Sequence, residues 1–156
     1  MLNFIGTYEC KLDNKGRLAI PIAYKKQLET VINEPFIIKR SIFQSCLEII
    51  PHSEWSSIMQ KINTLNRFVK KNNDFIRMFT AGVKVVEMDG SGRLQISKDL
   101  IEFAHLEKEI VLSSSVGMIE VWDKTRYEKV IDPTNVDFAL LAEEVMGNNE
   151  DGNNVS

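Results

Sequence analysis

Asp13-Asn14-Lys15-Gly16-Arg17-Leu18-Ala19-Ile20 returns 76 positions later as Asp89-Gly90-Ser91-Gly92-Arg93-Leu94-Gln95-Ile96. Extended back to Gly6 and Gly82, the two segments share six of 15 residues: Gly, Asp, Gly, Arg, Leu and Ile. Average amino-acid usage gives about one match by chance. Such a recurrence means one structural unit used twice. A second pair agrees: the segment from Cys46 to Trp55 echoes the one from Met118 to Tyr127, now at offset 72. The first copy therefore carries four extra residues, which we assign to its middle loop.

The repeated stretch has the chemistry of a tight turn. Asp suits the first position of a type I turn, where its carboxylate accepts nearby main-chain N–H groups, and Gly suits the fourth, where φ can be positive. A type I turn closed by a left-handed Gly makes a bulged hairpin loop, and the bulge re-aims the next side chain. That side chain is Arg17 in one copy and Arg93 in the other. One reading is purely structural, with Asp and Arg forming a clasp. The other is recognition of duplex DNA, because a β-ribbon fits the major groove and Arg bonds guanine bidentately. Lys11 and Lys15 add charge in the first copy, whereas Glu87 and Ser91 replace them in the second.

Around these turns each copy has the same layout. Tyr8, Cys10 and Leu12 alternate with polar residues, as in a half-buried strand. A short strand over 17–20 leads to a helix opened by Pro21 and running to Leu28, with Ser97 as N-cap of the matching helix over 98–104. Further strands are expected at 36–40 and 47–50, and at 110–113 and 118–122. Trp55, Ile58, Met59, Ile62 and Leu65 form one helical face, with Ser53 as N-cap. Residues 66–80 continue as helix, broken near Asn72-Asn73. Phe138, Leu141, Ala142 and Val145 form one more short helix. The division is a first repeat over 1–56, a helical connector over 57–81, a second repeat over 82–131, a short helix over 132–146 and an acidic, disordered tail over 147–156.

The 156 residues are 44% hydrophobic and 26% charged, with 8 Gly and 4 Pro, a globular balance. The net charge of −3 is unevenly spread. Residues 1–72 hold 11 Lys and Arg against 6 acids, whereas residues 73–156 hold 8 against 16. The N-terminal half alone can face a phosphate backbone, and an ordinary solvated surface with an acidic tail fits the charges equally well. No signal peptide or membrane span is expected. Cys10 and Cys46 read as packed, reduced thiols of a cytosolic protein.

Asp-x-Lys-Gly-Arg-Leu-x-Ile-Pro near the start, the second Asp-x-x-Gly-Arg, and the Glu-x-Trp after it resemble the MraZ family. The connector from Leu65 to Gly82 is similar to that family's inter-repeat helices, and the resemblance covers about 1–145. It implies an α+β, mainly β fold: two tandem swapped-hairpin AbrB-like β-barrel units forming a pseudo-dimer. It further implies a ring-forming homo-oligomer, cytoplasmic and nucleoid-associated. Such a protein regulates transcription by binding direct repeats in double-stranded promoter DNA upstream of its own gene, at the head of a division and cell-wall gene cluster. By motif position Lys15, Arg17 and Arg93 are the DNA contacts, and Asp13, Gly16, Asp89 and Gly92 shape the turns. Ser97 and Ser113-Ser114-Ser115 depart from the family pattern, which often has Pro at the first and Gly at the second.

Enzyme signatures are missing. There is no HExxH, GxSxG or Walker loop, and Gln95 stands where a dinucleotide fingerprint needs its third Gly. His52 and His105 are single and read as structural, at a helix start and a helix end. Glu143-Glu144 reads as a solvated helix face. No catalytic residue, metal, cofactor or small-molecule substrate is expected. The rival reading is a ring-forming protein scaffold that does not bind DNA. Core packing is the expected role of Trp55, Phe75 and Phe79, with the junction between repeats or a subunit contact as the alternative.

Overall fold

The computed structural model describes residues 3–147. The tail expected over 147–156 lies outside that range apart from Gly147. The chain divides into two units, Met1–Lys124 and Thr125–Ser156.

In the first unit the strands are β1 (Thr7–Lys11), β2 (Arg17–Ala19), β3 (Phe36–Arg40), β4 (Leu47–Pro51), β5 (Lys84–Val86), β6 (Arg93–Gln95), β7 (Glu109–Ser115) and β8 (Met118–Asp123). The helices are α1 (Ile22–Gln27), α2 (His52–Ile62), α3 (Lys70–Thr80) and α4 (Lys98–Ala104), and α5 (Lys124–Val130) begins at its last residue. The second unit continues with α6 (Phe138–Ala142) and one π turn (Glu143–Gly147). Asp137 caps α6, its Oδ1 accepting the Leu140 N–H at 3.1 Å.

Six strands form one antiparallel sheet in the order β1-β7-β8-β4-β3-β5, and β2 pairs with β6 in a separate ribbon. Exchanging the copies (β1 for β5, β3 for β7, β4 for β8) returns the same order reversed. The sheet thus has a pseudo-two-fold axis. The registers place equivalent residues face to face on it: Leu18 opposite Leu94, and Glu48 opposite Glu120. Each copy's first strand has left its own repeat to pair with the other's third, Cys10 opposite Ile110 and Phe36 opposite Val86. Those pairings also relocate the extra residues of the first copy. β3 and β7 are offset by 74, so two extra residues precede β3 and two lie between β3 and β4.

The expected exchange of strands is therefore present, but the sheet does not close into a barrel. β1 and β5 remain its two edges. Only a single bridge, Leu12 to Leu18, ties the three-residue β2 to Leu12, next to β1. The expected hairpin is corrected accordingly: the turn at Asp13–Arg17 joins strands of two different sheets.

Strand β3 reads Phe-Ile-Ile-Lys-Arg and is buried through Lys39. Such a run marks a strand covered on both faces. Alternation sends Phe36 and Ile38 into the main cluster with Leu18, Leu94, Ile20, Ile96, Tyr24 and Leu100. Burying one Leu such as Leu18 in it contributes roughly 1.5–3 kcal/mol. Tyr24 crosses this core, its hydroxyl donating to the Gly6 and Leu112 carbonyls. On the opposite face of the sheet Lys39 Nζ lies 4.4 Å from the Phe79 ring centroid.

Two helix ends differ from expectation. Pro51, whose fixed φ suits a helix start, precedes α2, so Ser53 lies inside the first turn and makes no capping bond. The break in the connector falls between Ile62 and Lys70 rather than at Asn72-Asn73, which α3 runs straight through. Asn66 accounts for this: its Oδ1 accepts the Phe68 N–H at 2.9 Å, a local turn that competes with helix. Ser97 holds the N-cap position of α4 as expected, without a side-chain capping bond. Trp55 stacks on Phe79 at 5.8 Å and Phe79 on Phe75 at 5.6 Å, so these rings pin α2 to α3.

Candidate nucleic-acid interface

The two repeated turns have the same hydrogen bonds. Asp13 Oδ1 accepts the N–H of Lys15 and of Arg17, each at 2.9 Å, and its Oδ2 accepts Arg17 Nε at 2.7 Å. Asp89 Oδ1 accepts the N–H of Ser91 and of Arg93, each at 2.9 Å, and its Oδ2 accepts Arg93 Nε at 3.0 Å. The main chain closes both loops, with Gly16 N–H on the Asp13 carbonyl and Gly92 N–H on the Asp89 carbonyl at 3.0 Å. Gly16 has φ +77° and Gly92 φ +75°, the left-handed conformation that the turn requires.

These bonds act on the carboxyls. The Arg17 main-chain N–H, helped by the Arg17 side chain and the Lys15 N–H, holds Asp13 below its ordinary value of 3.8. Asp89 is lowered the same way, first by the Arg93 N–H and then by the Ser91 N–H and the Arg93 side chain. Both carboxylates are charged at neutral pH and orient their arginines through Nε. Each guanidinium thereby keeps its two Nη groups free of protein hydrogen bonds among the described residues. Arg17 and Arg93 are about one-third exposed.

Only the tertiary structure brings the two arginines together. In the β2–β6 ribbon Arg17 stands opposite Gln95, and Arg93 opposite Ala19. Leu18 and Leu94 point into the core, so all four of these residues share the outer face. Arg17 and Arg93 are diagonal neighbours there, with Cα atoms about 7–8 Å apart by ordinary sheet geometry. The major groove is about 12 Å wide, so one groove can take both. The ribbon is therefore made between the copies, not within either one.

The turns are stitched to each other's strands. Ile96 N–H donates to the Gly16 carbonyl at 2.8 Å, and Ile20 N–H to the Gly92 carbonyl at 3.1 Å. Gln95 Nε2 donates to the Lys15 carbonyl at 2.6 Å, leaving the exposed Lys15 side chain outside that bond. The fourth residue of each helix crosses to the other copy's turn: Ile101 of α4 reaches Gly16, and Lys25 of α1 lies over Gly92. Gln95 and Lys25 each reach a turn of the other repeat. No sequence signal marks either, because their partners are 80 and 67 positions away.

Burial pushes the Cys10 and Cys46 thiols up to about 12. His52 begins α2, and His105 ends α4 with φ 52°. Among the described residues no cluster of His, Cys, Asp or Glu could hold a metal ion. None of their helices is long and apolar enough to cross a membrane. A cavity of about 530 Å³ is lined mainly by Ile42, Phe43, Phe75, Met78, Phe79 and Phe103, and by none of the turn residues.

Comparison with known proteins bears on the repeat directly. The family model described as "MraZ protein, putative antitoxin-like" matches twice, over residues 3–78 and 78–148. A protein of Flavobacterium psychrophilum is 62% identical over 151 residues, 97% of this chain and 96% of the relative. One of Christiangramia forsetii is 59% identical over 150 residues, 96% of this chain and 97% of the relative. One of Pediococcus pentosaceus is 35% identical over 143 residues, 92% of this chain and 96% of the relative. All three are named "Transcriptional regulator MraZ".

Proposed function

The chain belongs to the MraZ family, and from that membership we propose that it regulates transcription by binding duplex DNA. The contact is the outer face of the β2–β6 ribbon. Arg17 and Arg93 read or grip the groove, Lys15 adds phosphate attraction, and Asp13, Gly16, Asp89 and Gly92 hold both turns in shape. The observation that carries this reading is the shared face. Two guanidiniums with free Nη groups, each pre-oriented by a charged carboxylate, belong to diagonal residues on the ribbon's outer face. Pre-orientation lowers the side-chain entropy lost on binding.

Its targets are direct repeats upstream of its own gene, at the head of the division and cell-wall gene cluster, and it acts in the cytoplasm at the nucleoid without catalysing a reaction. It works as a ring of identical chains. The apolar cavity beside Phe43 (88% exposed) and Met78 (78% exposed) supports this, because such a surface suits contact with a second copy and leaves the ribbon face free. Several ribbon faces in one ring bind repeated sites through effective concentration.

The test is a mobility shift on a promoter fragment carrying those repeats, run over a salt series. Affinity falls steeply with salt if cations meet phosphate, and no shift appears at any salt concentration if the protein is a scaffold that does not bind DNA. Arg17→Ala and Arg93→Ala each cost about 1–3 kcal/mol for every base that the arginine reads. Two of the three bonds to each Asp come from the main chain and survive these substitutions. A folded double variant with unchanged affinity refutes the proposal.

A further inference from the structure

The second turn is poor in charge within its own repeat. Ser91 stands where the first turn has Lys15, and Glu87 where it has Lys11. The fold supplies a cation from elsewhere. Lys25, the fourth residue of α1 in the first repeat, lays its side chain over Gly92, with Nζ and Cε occupying the space that a Cβ at position 92 would take. Gly92 therefore serves twice, adopting φ +75° and leaving room for this side chain. Lys25 has no carboxylate within salt-bridge distance and no hydrogen-bond partner among the described residues. It is a free ammonium held against a turn whose neighbouring side chain is Arg93.

The pseudo-symmetric position is informative. Ile101 occupies it in the second repeat and packs with Cδ1 3.3 Å from where a Cβ of Gly16 would lie. The place itself therefore accepts an apolar side chain, and packing alone does not require a lysine. Where the turn has its own Lys15 the crossing residue is apolar. Where the turn has Ser91 the crossing residue is charged.

We propose that Lys25 is a DNA-phosphate contact, delivered from the first repeat to complete the cationic face of the second turn beside Arg93. This rests on the DNA-binding role of the ribbon face. It gives the two turns matching charge, Lys15 with Arg17 and Lys25 with Arg93, although only the arginines are repeated in the sequence.

The test compares the full chain with Lys25→Met, Lys25→Arg and Lys26→Met on the promoter fragment over a salt series. Met keeps the unbranched stem over Gly92 and removes only the charge, and Ile101 shows that the fold accepts an apolar residue there. Lys26 is exposed on the same helix and controls for net charge. Lys25→Met is expected to weaken binding about two- to five-fold at moderate salt, a typical loss for one exposed ion pair. The slope of log affinity against log salt should flatten by about 0.9, one phosphate contact. Lys25→Arg retains both. Wild-type affinity and slope in a folded Lys25→Met variant overturn the assignment, as does an equal loss in Lys26→Met. Absence of binding by the wild-type chain at every salt concentration overturns the ribbon reading itself, and is thereby distinguished from failure at Lys25.

Discussion

Alanine at the two turn glycines should separate two costs that look identical in the sequence. Gly16 and Gly92 have φ +77° and +75°, so each Ala pays about 1–2 kcal/mol for the left-handed backbone. The surroundings then differ. At Gly92 the new Cβ meets Lys25, a flexible side chain free to swing into solvent at little further cost. At Gly16 it lies 2.9 Å from the main-chain carbonyl of Ile96, 3.0 Å from Gln95 Nε2 and 3.3 Å from Ile101 Cδ1. The Ile96 carbonyl cannot move without opening the ribbon, where Ile96 N–H donates to the Gly16 carbonyl at 2.8 Å. Losing that bond and the Gln95 bond to Lys15 adds about 0.5–1.5 kcal/mol each. Gly16→Ala should therefore cost about 2–5 kcal/mol and Gly92→Ala about 1–2 kcal/mol. For a chain of this size 1 kcal/mol shifts Tm by about 2–4 °C. Thermal and urea unfolding followed by circular dichroism read the difference. Equal losses, or a larger loss at Gly92, would refute the argument that the ribbon carbonyl distinguishes the two sites.

Four further outcomes are expected. Asp13 and Asp89 lie below 3.8 when folded, so the stability they contribute is fully present above that value. It is lost as pH falls through the lower, folded values; carboxyl NMR titration giving either midpoint at or above 3.8 would contradict this. Glu120→Gln should stabilise the protein by about 0.2–1 kcal/mol, because like charges opposed on neighbouring strands repel. Glu48 already has its pKa raised by burial and, more weakly, by Glu120, and Gln Oε1 can still accept the Trp122 indole N–H; a lower Tm would count against it. Cys10 and Cys46, with thiols near 12, should resist alkylation at pH 8 until the protein is denatured, and rapid labelling of the native chain would contradict their burial. Phe43→Glu on the exposed apolar surface should lower the mass measured by light scattering if that surface joins copies in the ring, and an unchanged mass excludes it from the contact.

What was legible in the sequence was local. Asp13 to Arg17 and Asp89 to Arg93 form the expected turns because their bonds span four residues or fewer, and the positive φ of each glycine belongs to the turn itself. The same holds for Phe36–Arg40 and Lys98–Ala104, found at the expected bounds. The break at Asn66, the start of α2 and the splitting of the extra residues differ from expectation because several local signals compete there. Residues on the site were harder. The repeated motif marks Arg17 and Arg93 as candidates, whereas nothing near Lys25 or Gln95 in the chain announces a contact with the other repeat's turn.

The sequence alone thus determined two copies of one unit, their turns and the alternation of their strands. Which strand pairs with which was decided only in three dimensions. Each copy offers the other the same antiparallel edges it offers itself, so local rules cannot choose between them. Burial does choose: exchange puts Leu18 against Leu94 at the centre of one core, sets Arg17 beside Arg93 on its outer face, and carries Lys25 across to Gly92.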